Sequence, residues 1–326
     1  MKSKGNKVTL SFKYRAYPTP EIERKLINTM EIEAKVYNRL LDYITERRKQ
    51  GMKVTQLDTQ KLLKDMDGKH EVYSKTLQMM NNVLWYNINT LAKLKSNGKK
   101  VGKLRHKKTF KMVWYNQSGF KLRGDNLHLS RIGEIKVLLH RPVQGEVKGV
   151  IVKRSKANKW YAILQVEQEK QPLERTGRAV GIDLGVEKFV TTSDGDVIEN
   201  PKLLDRMEKR IKLLQRRLSR KRKGSRNREK ARVKLAKAHE RLENTLNDYI
   251  HKITTWLVKD HDVIVVEKLN TQGMVQDSFG RLRKRILYSK FSTFLHHLSY
   301  KAELVGGWSR WTQHIRHRHV PSVGTG

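Results

Sequence analysis

Two carboxylates stand at the ends of apolar stretches, where a protein can gather acids around a metal ion. Asp183 lies in the segment Val180-Gly181-Ile182-Asp183-Leu184-Gly185, and Glu267 follows four apolar residues, 263–266. A carboxylate in such surroundings is costly to bury unless a partner offsets the cost, and Mg²⁺ prefers carboxylate oxygens. Glycines beside Asp183 would let backbone or ligand come close. Acids at the ends of two neighbouring strands suit phosphodiester cleavage, in which metal ions clamp the attacking and leaving oxygens.

Each acid also has an ordinary interpretation. Asp183 could simply cap the turn of a hairpin, and Glu267 could be the first residue of a loop. The strand that carries Asp183 also resembles the first strand of actin-like ATPases and sugar kinases, where the aspartate serves a phosphate-bound metal ion. From each motif alone these alternatives stay open.

A dense basic segment separates the two carboxylates and predicts contact with nucleic acid. Acidic residues are sparse there, so repulsion between the cations is not relieved within the segment, and phosphates would relieve it. The alternative is an ordinary solvated helix face. The candidate nucleic-acid-binding residues are Arg216, Arg217, Arg220, Lys221, Arg222, Lys223, Arg226 and Arg228.

Two Trp-Tyr pairs could add stacking platforms for bases. Trp114-Tyr115 and Trp160-Tyr161 both lie in segments that alternate apolar and polar residues. Aromatic pairs on alternating strands more often belong to a core than to a base-binding surface. We therefore expect packing rather than base contact at both pairs.

The elements that must position these residues begin with a β unit that a helical segment interrupts. Residues 7–16 alternate like a half-buried strand. Thr19 can cap a helix that starts at Pro20 and continues to the "KQG" at 49–51, and more helix is expected to about Leu94. Residues 110–167 alternate again, so the first strand is expected to join these later ones.

A third unit starts near Arg178. Its first part predicts strand, turn and strand, with a hairpin turn at Asp194-Gly195. Helix is expected from Leu203 to about Lys259, with a break at "KRKGSRNR". The apolar run before Glu267 predicts a central strand covered on both faces, and residues 281–305 predict one amphipathic helix.

Composition limits the partners of such a protein. The 326 residues carry 70 Lys and Arg against 32 Asp and Glu, a formal charge of +38. A folded surface with that excess requires a polyanion, and nucleic acid fits better than a membrane because the charge runs the whole length. No apolar run approaches a membrane span and no secretion signal is recognisable. Cysteine is absent, which excludes disulfides and Cys-based zinc sites. We expect a cytoplasmic, nucleoid-associated protein.

Several motifs, in their order and spacing, resemble the TnpB (OrfB) family of transposon-encoded proteins, which are RNA-guided DNA endonucleases related to type V CRISPR nucleases. The similarity reaches to about residue 306. It is carried by "KYRAYPTPEIERKL", "YNRLL", "KLRGDNLHLSRIGEIKVLLHRPVQGEVKGVIVKR", "AVGIDLGVEKFVTTSDGDVIENP", "VIVVEKLNTQGM" and "LSYKAELVG".

The resemblance implies an α+β multidomain fold. Residues 1–17 plus 105–175 would form a split β-barrel (wedge) domain, 18–104 a helical recognition insertion, and 176–306 an incomplete α/β RuvC-like domain of RNase H type. Asp183 and Glu267 match the first and second family carboxylates, which implies that both are catalytic Mg²⁺ ligands. The ATPase alternative is displaced, since no second Gly-rich phosphate loop is present. The implied partners are guide RNA and target DNA.

The last segment, 307–326, departs from the family pattern. The family continues with a strand, a Cys-x-x-Cys zinc ribbon and a third catalytic aspartate, and neither Asp277 nor Glu303 stands where that acid is expected. A shifted reading of the codons permits "VVEVDP…TSQTCSKCG", which is the family's strand and half of its ribbon. We therefore expect a frameshift near residue 306, a disordered tail and weak or absent cleavage. The tail histidines are then accidental and no zinc is expected: His314, His317 and His319.

Four functional classes stay open at this point. The first is a TnpB-type endonuclease with Mg²⁺-dependent phosphodiester hydrolysis, impaired here. The second is a cleavage-inactive, guide-RNA-dependent DNA-binding protein. The third is a basic RNA-binding protein without a target, and the fourth is a product of a transposition pseudogene without function.

Overall fold

The structure, a computed structural model, describes residues 6–66, 68–201, 203–267, 271–305 and 312–314. The side chains of residues 203–205, 271, 272, 281, 284 and 312–314 lie outside that description. Contacts divide the chain into two compact units. We call Thr9–Gln168 the barrel unit, and Met1–Val8 with Glu169–Gly326 the sheet unit.

The barrel unit combines a seven-stranded sheet with three α-helices, and the sheet curls into a nearly closed barrel. The strands run in the spatial order β2-β6-β7-β1-β5-β4-β3. Their bounds are β1 Lys7–Tyr17, β2 Met112–Asn116, β3 Phe120–Arg123, β4 Asn126–Leu129, β5 Gly133–Leu138, β6 Glu146–Arg154 and β7 Trp160–Glu169. The helices are α1 Pro20–Lys49, α2 Gln56–Leu62 and α3 Ser74–Ser96.

The predicted start of this unit is confirmed. β1 lies between β7 and β5, so the first strand does join the later ones, and the helical segment is inserted between them. The hydroxyl of Thr19 accepts a hydrogen bond from the amide of Ile22 at 3.4 Å, and Pro20 occupies the first turn of α1, where its missing N–H costs nothing. Ile22, Leu26 and Met30 pack one face of α1 on the barrel core.

The sheet unit has five strands in the spatial order β10-β9-β8-β11-β12. Its strands are β8 Ala179–Leu184, β9 Lys188–Thr192, β10 Val197–Glu199, β11 Val263–Glu267 and β12 Thr312–His314. Its helices are α4 Leu203–Ser219, α5 Arg226–Asp260, α6 Thr271–Gln276, α7 Gly280–Ser289 and α8 Phe291–Leu304.

Strand directions in this sheet are mixed. β9 is antiparallel to both β8 and β10, and the β9–β10 turn contains Asp194-Gly195, as predicted. β11 is parallel to β8 and to β12, so it is a central strand of the sheet. Helices α5 and α8 cover one face, where Leu257, Phe294 and Leu298 pack against the buried strand residues. The expected burial of β11 on both faces is wrong: Ile264 and Val266 are buried, but Val263 and Val265 are only half-buried.

The expected single helix over 281–305 is also wrong. The chain forms α7 and α8, and they meet at Lys290, whose φ of 49° is left-handed. The Lys290 ammonium donates to Asn247 of α5 at 3.0 Å, so a tertiary contact accompanies the break. A lysine has no special preference for this conformation, and the sequence therefore carried no signal for the break.

The C-terminal segment departs from the expected disorder at three residues. Thr312–His314 forms β12, paired in parallel with Val265, Val266 and Glu267. The rest of the predicted tail, including His317 and His319, lies outside the described residues. Within the described residues, no helix is long and apolar enough to cross a membrane.

Candidate active site and nucleic-acid interface

Strand register brings Asp183 and Glu267 to the same edge and the same face of the sheet. The parallel pairing of β8 with β11 sets Gly181 opposite Val265 and Ile182 opposite Val266. One step further along both strands are Asp183 and Glu267. Opposite residues of neighbouring strands point to one face, with strands about 4.8 Å apart. The two carboxylates predicted from the sequence are therefore neighbours at the carboxyl ends of adjacent parallel strands.

This face of the sheet is the more accessible one. Val180, Ile182 and Leu184 alternate into the core, which leaves Asp183 exposed on the other face of β8. Glu267 is half-buried on the corresponding face of β11. A solvent-accessible pair of acids can receive a cation and an anionic substrate together, because neither carboxylate is committed to the core.

A tight turn follows Asp183 and depends on Gly185. A Cβ at that position would lie 2.6 Å from the carbonyl oxygen of Lys188, so any side chain would force the backbone to move. The amide of Gly185 donates to the carbonyl oxygen of Phe189 at 3.3 Å. Gly181, the other flanking glycine, has no such constraint, since its Cβ would meet only Ser193 at 3.7 Å.

Among the described side chains, no third potential metal ligand accompanies the two acids. In that part of the chain, no group of three or more His, Asp or Glu residues is arranged to hold a metal ion. Asp277 lines a shallow apolar cavity together with Val186, which follows Asp183 by three residues. Glu303 lies on α8, remote in sequence from both strand ends.

At the opposite end of β8, acidic side chains form hydrogen bonds and an ion pair within the protein. Both carboxylate oxygens of Asp262 accept backbone hydrogen bonds, from Thr176 at 3.0 Å and Gly177 at 2.8 Å, and these bonds lower the pKa of that carboxyl. A hydrogen bond from Ser193 is the main cause that lowers the pKa of Asp194. Arg178 pairs with Asp194 at 3.4 Å. The two ends of the sheet thus differ: one set of acids is already hydrogen-bonded, and the other faces solvent.

The predicted basic segment forms the tip of the helical hairpin made by α4 and α5. Seven of its eight cations are exposed: Arg216, Arg217, Arg220, Lys221, Arg222, Lys223 and Arg226. The turn between the helices passes through Gly224, whose φ is 83°. The hairpin therefore presents a concentrated positive charge to solvent.

Arg228 has a structural task that the sequence did not indicate. Its guanidinium Nη1 donates to the carbonyl oxygens of Leu218 at 2.9 Å and Lys221 at 2.8 Å. These contacts satisfy carbonyls at the end of α4, and the amide of Arg228 in turn donates to the Ser225 hydroxyl that caps α5. Arg228 joins the two helices, unlike its seven exposed neighbours.

A basic groove between α4 and α5 continues the charge beyond the tip. Its apolar floor includes Leu213 and Leu214, and Leu213 is 47% exposed. The groove is lined by five cations: Arg210, Arg217, Lys234, Lys237 and Arg241. All of them except Arg217 lie outside the predicted set. On each helix two of these cations are seven residues apart, and this spacing could have indicated a shared face.

The aromatic pairs divide between core and surface. Tyr115 and Trp160 are buried in the barrel core. Trp114 is half-buried, and the ammonium of Lys13 lies 4.1 Å from the ring centroid of Tyr161. The expectation of packing is thus met by one member of each pair.

Two family models match parts of this chain. Residues 163–277 match the family model described as "Probable transposase" (OrfB of the IS605 type). Residues 6–53 match the companion model described as "Helix-turn-helix domain". In this structure those residues form β1 and the single 30-residue helix α1 rather than two helices and a turn.

Curated relatives place the chain within one family. A protein of Streptomyces pristinaespiralis, named "Putative RNA-guided DNA endonuclease", is 32% identical over 310 residues, which cover 92% of this chain and 76% of that protein. InsQ of Escherichia coli K12, with the same description, is 38% identical over 165 residues, 50% of this chain and 41% of InsQ. The chain belongs to the TnpB (OrfB) family.

A solved structure shares the fold. The Cas12f1 chain in the cryo-EM structure of a Cas12f1–sgRNA–target DNA complex aligns with a TM-score of 0.54 at 12% sequence identity. The alignment covers 96% of this chain and 90% of that chain. At this identity the likeness concerns the α+β fold alone.

Proposed function

We propose that this protein is an RNA-guided DNA endonuclease of the TnpB type. The observation that carries the proposal is the placement of Asp183 beside Glu267 at the carboxyl ends of two parallel strands. Guide RNA and target DNA are its partners, and base pairing between them supplies sequence specificity while the protein binds backbone and shape. The printed names of the curated relatives and the charge of +38 support this assignment.

The finer architecture belongs to the same proposal. The order β10-β9-β8-β11-β12, with two antiparallel and two parallel pairings, fits a RuvC-like sheet of RNase H type. The nearly closed barrel of the other unit fits the wedge domain, with α1 to α3 as the recognition insertion. Both assignments rest on topology together with family membership.

The reaction is metal-assisted hydrolysis of a phosphodiester. The residues fit Mg²⁺, which is commonly held by one or two carboxylates together with water and substrate phosphate. When bound, the metal activates water and stabilises the charge on the leaving oxygen. Asp183 and Glu267 supply the oxygens, and the exposed face of β8 admits the phosphodiester. Cations at the hairpin tip and groove neutralise phosphates of the bound nucleic acid.

A second candidate is a guide-RNA-dependent DNA-binding protein that does not cleave. The observation that favours it is the lack of a third metal-ligating side chain near the pair, within the described residues. Two-metal cleavage requires more oxygen ligands than two carboxylates provide. Our expectation of weak or absent cleavage stays a prediction.

One experiment separates these candidates. The full chain is purified with the RNA that it retains, the RNA is sequenced, and DNA that carries its complement beside randomised flanks is added with Mg²⁺. Three proteins are compared: the parent, Asp183→Ala, and Asp196→Asn as a matched control in the exposed β9–β10 turn.

The three outcomes are distinct. Cleavage by the parent and by Asp196→Asn, with a loss of at least about 100-fold in Asp183→Ala, supports the nuclease. Guide-dependent DNA binding without cleavage in all three supports the second candidate. Retained RNA of no defined sequence would contradict both and leave a basic RNA-binding protein.

A further inference from the structure

Asn200, the residue after β10, bonds to the turn that follows Asp183. Its side-chain amide nitrogen donates to the carbonyl oxygen of Val186, and its backbone amide donates to the carbonyl oxygen of Glu187 at 3.1 Å. Both acceptors lie in the turn between β8 and β9, just beyond Asp183. Two consecutive carbonyls of this turn therefore accept hydrogen bonds from one residue at the end of another strand.

The chemistry of these partners fixes the orientation of the Asn200 amide. A backbone carbonyl can only accept, so the amide nitrogen and not the amide oxygen must face Val186. The same nitrogen donates to the hydroxyl of Ser289 at 3.4 Å, and that hydroxyl donates in turn to the carbonyl oxygen of Arg285 at 2.9 Å. Ser289 is buried and is the last residue of α7. Asn200 therefore joins the turn after Asp183 to the end of a helix.

Asn200 is held on both sides along the chain. Pro201 follows it, and a proline disfavours a helical backbone at the residue before it. On the other side, the hydroxyl of Tyr249 on α5 donates to the carbonyl oxygen of Glu199. Tyr249 also lies beside the buried ring of Phe189, with ring centroids 5.7 Å apart. The residue that bonds the turn is thus itself anchored to the core of the sheet unit.

The placement of Asp183 depends on this turn, because its side chain is exposed and gains little restraint from packing. Asp183 pairs with Thr191 of β9, one step before the last pair of the β8–β9 hairpin. A movement of the turn would shift this end of β8 together with the carboxylate. Groups that orient a metal ligand from behind commonly change metal affinity by about 10–100-fold when they are removed.

We propose that Asn200 is a positioning residue for Asp183. It holds the β8–β9 turn, and through the turn it keeps the carboxylate of Asp183 beside that of Glu267. The inference rests on the proposed function, in which these two carboxylates hold Mg²⁺, and it adds a residue that acts through the backbone. A merely structural role would be different, because loss of Asn200 would then lower stability and leave the metal site unchanged.

Two substitutions at Asn200 test this role in the full chain. Asn200→Asp keeps the shape of the side chain but places a carboxylate oxygen against the Val186 carbonyl, and Asn200→Ala removes the side-chain amide without adding charge. The matched control is Asn247→Asp, since Asn247 is a half-buried asparagine of the same unit. Asn247 accepts from the Lys290 ammonium at 3.0 Å, and an aspartate would keep that acceptor.

The measurement is the binding of Mn²⁺, the probe for the metal ion, to protein stripped of nucleic acid at high salt. Free Mn²⁺ is followed by electron paramagnetic resonance, and the unfolding midpoint in urea is recorded for each protein. Both Asn200 variants should bind Mn²⁺ at least about 10-fold more weakly than the parent. The carboxylate added in Asn200→Asp would by itself attract a cation, so weaker binding there indicates a displaced ligand. Asn247→Asp should bind at least as tightly as the parent.

Unchanged Mn²⁺ affinity in the Asn200 variants would overturn the proposal, even if their unfolding midpoints fall. Ser289→Ala provides the test if the Asn200 variants do not fold. It removes one acceptor of the Asn200 amide and leaves the bonds to the turn, so Mn²⁺ binding should weaken by about 2- to 5-fold. Parent-like affinity in Ser289→Ala would then count against the proposal.

Asp183→Ala separates this inference from the proposed function. If Asp183→Ala loses Mn²⁺ binding while the Asn200 variants bind like the parent, the metal pair stands and the positioning role is wrong. If Asp183→Ala binds Mn²⁺ like the parent, the metal pair itself is wrong, and the role of Asn200 fails with it.

Discussion

Among single residues, Glu33 is a buried carboxyl group without a hydrogen-bond partner among the described residues. It lies on α1 with no exposed surface. Burial raises the pKa of this carboxyl well above its usual value. The ionised form also raises the pKa of the Tyr115 hydroxyl, a smaller effect than the burial of that hydroxyl itself. Glu33 is therefore protonated in the folded protein under conditions where an unfolded chain would release the proton.

This burial predicts a defined pH dependence of stability. Because the folded-state pKa is raised, the free energy of unfolding falls as pH rises above the unfolded value near 4.5 and continues to fall until the folded-state pKa is passed. Glu33→Met should remove that dependence and stabilise the protein by about 1–3 kcal/mol at neutral pH. Chemical denaturation of both proteins across pH tests this.

The control is Glu31→Met, which changes an exposed carboxylate one helical half-turn away. It should leave the pH dependence of the parent unchanged. If Glu33→Met follows the same pH curve as the parent, the carboxyl has a partner or a solvation that its burial does not indicate.

Among the elements, the α4–α5 hairpin contains basic residues with two different roles, although the sequence presents them as one basic segment. Arg228 stabilises the hairpin, and the exposed cations are available to bind phosphates. Arg228 bonds the end of α4, whereas Arg226 is exposed two residues earlier. Arg228→Gln should destabilise the hairpin by about 1–3 kcal/mol, because carbonyls at the end of α4 lose a charged donor. Hydrogen exchange in the last turn of α4 measures this loss.

Arg226→Gln is the matched comparison for that prediction. It should leave hydrogen exchange in α4 unchanged and weaken nucleic-acid binding slightly, since one phosphate contact is removed. Equal exchange rates in both variants would show that the Arg228 hydrogen bonds contribute nothing to the hairpin.

The central strands were predictable because their signal is local. Four consecutive apolar residues followed by Glu267 predict the position of β11 without reference to the rest of the chain, although one face of that strand is only half-buried. The break at Lys290 was not predictable, since the residue contacts Asn247 of another helix and its own type gives no hint. A cavity lined by both Lys61 and Arg131 was equally hidden, because only the topology of the barrel unit brings these two distant residues together.

At the scale of the whole molecule, the sequence indicated a polyanionic partner, whereas the predicted division into three domains stays a prediction. The charge of +38 points to a polyanion from composition alone. The structure groups the barrel strands with α1 to α3 in one compact unit, because α1 packs Leu26 and Met30 into the barrel core. A separate helical domain over 18–104 stays a prediction.

The layout of the two units along the chain has a consequence for synthesis. The barrel unit is one uninterrupted run, Thr9–Gln168, so a ribosome completes it before most of the sheet unit exists. β8 pairs with β11, which follows both α4 and α5 in the chain, so this pairing cannot form until β11 has been synthesised. Domains generally fold as units during synthesis. Nascent chains stopped at Lys230 should therefore already protect the barrel unit from protease, whereas chains stopped at Arg141, before β6 and β7, should not. Protection that arises only in the released chain would show that the barrel unit needs the sheet unit to fold.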